Sequence, residues 1–336
     1  MRKYVTILLS LGLCGSILIG CGSAKKDNAP TDTTDTEQTV TEDTDSTNED
    51  TTASDTTGTE DTASDTPDTT EPEPEKSEYD LYYRPSYKFK QKRKDVGYGE
   101  IVGIEYYSTT TQCDRKANII LPDGYSEDTT YPVVYLLHGI GGSENEWIRE
   151  GKPQEIIGNL IADGEVVPFI AVIPNIRATA PETDTSDIYG ANNVNAFDNF
   201  INDLRDDLMP YMAEHYNIYT DREHTAICGL SMGGMESLSI GFQMLDTFGY
   251  IGAFSPAPSL NTALLNLSGS DYIPYFVMIC NGDADEVVHN IPKDYHNVMV
   301  MNGVEHVWYE IPGGKHNFGV WNDGLYNFLK RIFKYV

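Results

Sequence analysis

Near the middle of this 336-residue chain, Gly229-Leu230-Ser231-Met232-Gly233 sets a serine between two glycines at the end of an apolar run. Gly-x-Ser-x-Gly between a strand and a helix marks a tight turn that lifts a serine hydroxyl to the strand's carboxyl end. A serine hydroxyl is a weak nucleophile. It needs a base, an acid to orient the base, and N–H donors for the oxyanion that forms on attack. A second apolar run ends in His138-Gly139-Ile140-Gly141-Gly142, a glycine-rich turn whose backbone amides can face a substrate oxygen. The N–H groups of Met232 and Ile140 are the expected donors, and His138 is read as a brace for this loop. Among the seven histidines, His215 and His224 precede the serine, at a helix end and a strand entry. His289 and His296 fall on a polar helical stretch, and His306 opens a strand. His316, in "EIPGGKHNFGVW", stands in a loop after a strand, where Gly313 and Gly314 release the chain, and is the expected base. The loop after "YFVMIC" offers Asp283, Asp285 and Glu286 as the orienting acid, and spacing alone does not choose among them.

These residues must be positioned by a sheet. "VVYLLH" (133–138), "FIAVIP" (169–174), "TAICG" (225–229), "YIGAFS" (250–255), "YFVMIC" (275–280) and "VWYEIP" (307–312) are short and mostly continuous apolar runs. Such runs suit strands buried on both faces of a parallel sheet. Helical stretches are expected between and after them at 153–164, 195–216, 232–246 and 324–336. In the second, Phe197, Phe200, Ile201, Leu204, Leu208 and Met212 recur at spacings of three and four and define one apolar face. Upstream, "EIVGIEYYST" and "RKANIILP" read as an antiparallel hairpin at the sheet edge. The alternation predicts an α/β fold with a doubly wound, mostly parallel sheet in a single domain over 79–336.

The first part of the chain reads differently. Arg2 and Lys3 precede an apolar run from Tyr4 to Ile19 that closes in Leu18-Ile19-Gly20-Cys21, the form of a secretory signal. Leu-Ile-Gly-Cys resembles the bacterial lipobox, which implies a signal peptide over 1–20 and a lipidated Cys21. The expected location is the outer face of a bacterial cell membrane, held by the lipid. Residues 25–78 carry 18 acidic residues against 3 lysines among Thr, Ser and Pro, and so predict that 21–78 is the lipidated Cys followed by a disordered tether. The rest of the chain is acidic too and shows no basic stripe of the kind nucleic acid requires. Cys113, Cys228 and Cys280 form no disulfide framework and offer no metal-ligand spacing.

Four motifs in order, "YPVVYLLHGIGGSENEW", "YTDREHTAICGLSMGGMESL", "ICNGDADEVV" and "IPGGKHNFGVWNDGLYNFL", resemble the feruloyl and acetyl xylan esterases of carbohydrate esterase family 1 and the wider esterase D-like group. The resemblance covers nearly all of 97–335. It implies the α/β-hydrolase fold, Ser231 as nucleophile, His316 as base, and Met232 and Ile140 as oxyanion donors. It favours Asp285 over Asp283 as the acid, from its place after the Cys-x-Gly strand end. It further implies hydrolysis of feruloyl or acetyl esters of plant polysaccharide through an acyl-enzyme, with no cofactor and no metal. The alternatives are another ester, such as a siderophore, thioester or cell-wall acetyl group, acyl transfer in place of hydrolysis, or a non-catalytic surface-binding lipoprotein. Trp147 and Trp321 are expected either to wall an acyl or sugar pocket or to serve in ordinary packing.

Overall fold

The apolar runs pair into one sheet of eight strands in the order β1-β2-β4-β3-β5-β6-β7-β8. The computed structural model describes residues 85–334, so the expected signal peptide, Cys21 and the acidic tether lie outside the described residues. The strands are β1 (Ile101–Ser108), β2 (Cys113–Ile120), β3 (Val133–Leu137), β4 (Ile170–Pro174), β5 (Thr225–Leu230), β6 (Tyr250–Phe254), β7 (Phe276–Gly282) and β8 (Val307–Ile311). From β4 through β3 to β8 all neighbours are parallel, and β2 joins this block antiparallel to β4. The expected hairpin is present, with Ile101 opposite Ile120 and Ser108 opposite Cys113. The four strands β3 to β6 are buried at every position, because helices cover both faces of the sheet.

Alternate side chains feed two cores. On one face Ile227 and Ile251 meet Met235 and Leu238 of α5 (Met232–Gln243), Phe200 and Leu204 of the helical run before β5, and Met299 of α6 (Ile291–Met301). On the other, Cys228 and Met278 meet Ile156 and Leu160 of α1 (Pro153–Ala162) and Leu325 and Phe328 of α7 (Phe318–Leu329). This is the doubly wound arrangement expected from the alternating pattern.

Two helices differ from expectation. The run expected as one helix over 195–216 comprises α2 (Ala191–Asp198), α3 (Phe200–Asp203), a π turn (Leu204–Leu208) and α4 (Met209–His215). Its apolar face is still inward, with Phe197, Phe200, Leu204, Leu208 and Met212 buried. Asp203 and Asp207 are buried as well and serve the hairpin. Asp203 pairs with Arg115 at 3.0 Å, and Asp207 accepts the N–H groups of Thr109 (2.9 Å) and Thr110 (3.0 Å). The last helix starts at Phe318, six residues before the expected 324. The Asn317 side chain caps it by accepting the Gly319 N–H at 2.8 Å, a start signal that the weak helix formers Gly319 and Gly324 obscure in sequence.

Candidate active site

Every part of the site sits at the carboxyl end of the parallel strands. Ser231 follows β5 directly, with φ 52° and ψ −116°, a backbone conformation rare outside glycine. Three hydrogen bonds hold it there: its N–H donates to Phe254 O at 2.9 Å, and its carbonyl accepts from Met235 (3.0 Å) and Ala257 (2.9 Å). The flanking glycines are steric necessities. A Cβ on Gly229 would lie 2.6 Å from the Gly233 backbone, and one on Gly233 would lie 2.4 Å from His138 O. Strand and helix can cross this closely only without side chains. The turn thus strains Ser231 and starts α5 at Met232, whose N–H belongs to the first helical turn and has no intrahelical partner.

His316 reaches the serine from the loop after β8. Its Nε2 lies 3.0 Å from Ser231 Oγ, and its Nδ1 lies 2.8 Å from Asp285 Oδ2. The other carboxylate oxygen of Asp285 accepts the N–H groups of Val287 (2.9 Å) and Val288 (3.1 Å). Burial pushes this carboxyl up. The hydrogen bonds from His316, Val287 and Val288 outweigh that effect and hold it below the ordinary carboxylate range. An ionised acceptor at Nδ1 keeps the imidazole proton on that nitrogen and leaves Nε2 free to take a proton from Ser231. The tertiary structure thereby separates the three acids that spacing left open. Asp283 and Glu286 are exposed, and Asp283 instead secures the histidine loop by accepting the Gly313 N–H at 2.6 Å.

Across from His316 lies the glycine turn after β3. A Cβ on Gly139 would fall 3.4 Å from Ser231 Cβ, so the turn borders the serine. His138 is fully buried. Its Nε2 accepts the Ile176 N–H at 2.9 Å, which leaves the proton on Nδ1 to donate to Gly139 O at 2.8 Å. Burial lowers its pKa to about 4, so the ring is neutral and braces the loop between β3 and β4. The loop also carries a residue the sequence did not single out: Glu146, whose Oε2 accepts the Gly139 N–H at 2.8 Å. An acid a few residues beyond a glycine turn is a weak signal, and only folding brings it back onto the turn.

The tryptophans divide. Trp147 is 0% exposed, donates Nε1–H to Leu137 O at 2.9 Å, and packs edge-on against Phe254 and Phe318. It is a core residue, and the expectation that it walls a substrate pocket is corrected: its ring is taken up by packing against Phe254 and Phe318 in the core under β3. Trp321 stands perpendicular to the His316 ring with centroids 5.0 Å apart, and so confines the imidazole from the side. Cys228 and Cys280 are buried free thiols, and Cys113 is half-buried.

Residues 108–331 match the family model Esterase, described as "Putative esterase". A solved CE1 ferulic acid esterase from Anaeromyces mucronatus is 37% identical, with a TM-score of 0.70 over 74% of this chain and 96% of that one. The "Endo-1,4-beta-xylanase/feruloyl esterase" of Xylanibacter ruminicola is 36% identical over 168 residues, 48% of this chain and 22% of that protein. "Endo-1,4-beta-xylanase Y" of Acetivibrio thermocellus is 26% identical over 241 residues, 66% of this chain and 21% of that protein. The chain thus spans about a fifth of the length of these curated relatives.

Proposed function

The chain belongs to the Esterase family and is a serine carboxylesterase of the carbohydrate esterase family 1 kind; on that premise we propose that it removes feruloyl or acetyl groups from xylan, with Ser231, His316 and Asp285 as its catalytic residues. The observation that carries the reading is the unbroken line from Asp285 Oδ2 through the His316 ring to Ser231 Oγ, at 2.8 and 3.0 Å.

In the first half-reaction His316 Nε2 takes the Ser231 proton as Oγ bonds to the ester carbonyl carbon. The carbonyl oxygen becomes an oxyanion facing the N–H groups of Met232 and Ile140. Asp285 stabilises the imidazolium without taking its proton. The carbonyl re-forms, the bond to the alcohol oxygen breaks, and the sugar hydroxyl leaves with the proton from Nε2. Water then attacks the acyl-enzyme by the same route, releasing the acid and restoring Ser231. Support for the feruloyl group comes from the relatives that carry that activity in their names. The xylanase activity of the longer relatives belongs to those whole proteins and is not proposed for this chain.

The purified protein is expected to hydrolyse methyl ferulate or acetylated xylan, and Ser231→Ala to lower kcat by roughly 10⁴-fold or more. Wild-type protein inert on both substrates and on simple aryl esters would overturn the reading. Anchoring through Cys21 at the outer face of the cell membrane is part of the same proposal. Its support is the Leu-Ile-Gly-Cys motif behind a basic and apolar start. Retention of Cys21→Ala on cells as firmly as wild type would remove it.

A further inference from the structure

The oxyanion donor on the glycine turn has a mechanical problem. Glycine is the residue most free to rotate, and Gly139, Gly141 and Gly142 surround Ile140. An N–H that must be in place before the oxyanion forms cannot rest on a turn that wanders, since preorganisation is what gives such donors their effect. Gly142 N–H donates to Gly139 O at 3.1 Å, which closes a β-turn with Ile140 and Gly141 at its centre. Gly141 has φ +76°, as the third position of a type II turn requires. The Gly139 carbonyl also receives the His138 Nδ1–H at 2.8 Å. In a trans peptide the N–H points opposite the C=O, so drawing the Gly139 carbonyl into the turn directs the Ile140 N–H outward. That leaves the other side of Gly139, its own N–H, as the remaining freedom.

We propose that Glu146 is the positioning residue that closes this freedom and so aims the Ile140 N–H at the oxyanion, an inference that rests on the esterase reading of Ser231. Its Oε2 accepts the Gly139 N–H at 2.8 Å. The carboxylate occupies the room that glycine leaves: a Cβ on Gly142 would lie 2.5 Å from Oε2. Glu146 is held in its turn, because its N–H donates to Ser143 O at 3.0 Å and the next residue, Trp147, is buried and tied to Leu137 O at 2.9 Å. The adjoining loop is fastened as well, with Asn118 Nδ2 donating to Glu144 O at 2.8 Å and Asn175 Nδ2 to Glu144 Oε2 at 3.2 Å. The clamp therefore joins a rigid base to the one glycine whose rotation would swing the donor away. Its operative feature is an acceptor oxygen at the right reach. A negative charge opposes the oxyanion, so charge is not what the position selects for.

Reach and charge are separable by substitution in the full chain. Glu146→Gln keeps an oxygen at the same reach without the charge, and Glu146→Asp keeps the charge one methylene short. Kinetics on a p-nitrophenyl ester are expected to show Gln within about fivefold of wild type in kcat. Asp and Glu146→Ala are expected to fall roughly 10²-fold, with KM changed less than about threefold. The exposed neighbour Glu150→Gln removes an equal charge outside the turn and is expected to leave kcat unchanged. Asp equal to wild type with Gln impaired would overturn the proposal in favour of charge, and a loss confined to KM would overturn it in favour of substrate contact. The Gln and Asp pair decides the matter even where Ala fails to fold. Stoichiometric labelling of wild-type Ser231 by a fluorophosphonate separates the two readings: no labelling overturns the serine esterase, whereas labelling with Asp, Gln and Ala all at wild-type rates overturns only the clamp.

Discussion

Two buried carboxyls near Ser231 meet opposite fates. Asp285, in the loop after β7, is 5% exposed, and Glu236, in α5 five residues beyond the serine, is 2% exposed. Burial pushes both upward, since a charge loses solvation in either place. At Asp285 one imidazole and two backbone N–H groups reverse the effect. At Glu236 the facing group is another carboxyl, Asp198, and the pKa is pushed up to about 8 by burial first and that charge second. Glu236 is therefore the protonated partner at neutral pH. Burial alone does not determine charge. What decides it is whether the surroundings present donors or a second acid, and the catalytic loop presents donors.

The comparison breaks most sharply at the loop. Asp285→Asn keeps the shape but presents the wrong partner to His316 Nδ1, and kcat is expected to drop by about 10⁴-fold. A value within tenfold of wild type on an aryl ester would mean that the Asp285 charge is dispensable. A third buried carboxyl, Asp203, extends the series, since it is 0% exposed and paired with Arg115 and the Tyr106 hydroxyl. Asp203→Ala leaves the Arg115 charge buried and is expected to cost about 3–5 kcal/mol in denaturant unfolding. An unchanged midpoint would show that water reaches the arginine.

The α5 end is tested by pH. Glu236 binds its proton more tightly folded than unfolded, so stability falls as pH rises from the ordinary carboxyl range through about 8. Glu236→Gln is expected to raise stability by up to about 5 kcal/mol at pH 9 and to change it little at pH 4. Asp285 has the opposite sign. Its depressed pKa stabilises the fold above the ordinary carboxylate range, and that contribution is lost as pH falls through the folded value. A Glu236→Gln protein with an unaltered alkaline limb of its stability profile would place the proton elsewhere.

Much of this site was legible because its local chemistry is short-range. Gly229 and Gly233 around Ser231 need only the crossing of one strand and one helix, and both neighbours are written beside them. His316 could be isolated by its place after a strand, because loops at strand ends are where a doubly wound sheet exposes function. The start of α7 was hidden, since Asn317 caps it while Gly319 and Gly324 disguise the helix that follows. The π turn over Leu204–Leu208 was hidden too, because an apolar face at three- and four-residue spacing reads as a plain helix whether or not one turn is wider.

By itself the sequence determined the order of strands and helices, the strained serine turn, the late histidine, and a loop with three candidate acids, all of which follow from local periodicity and turn chemistry. Tertiary structure alone decided which acid meets His316, that Trp147 lies in the core while Trp321 stands against the imidazole, and that Glu146 folds back onto Gly139. Each of those is an angle between side chains brought together from separate elements. Such angles arise only when both faces of the sheet are packed and every strand end has its final position.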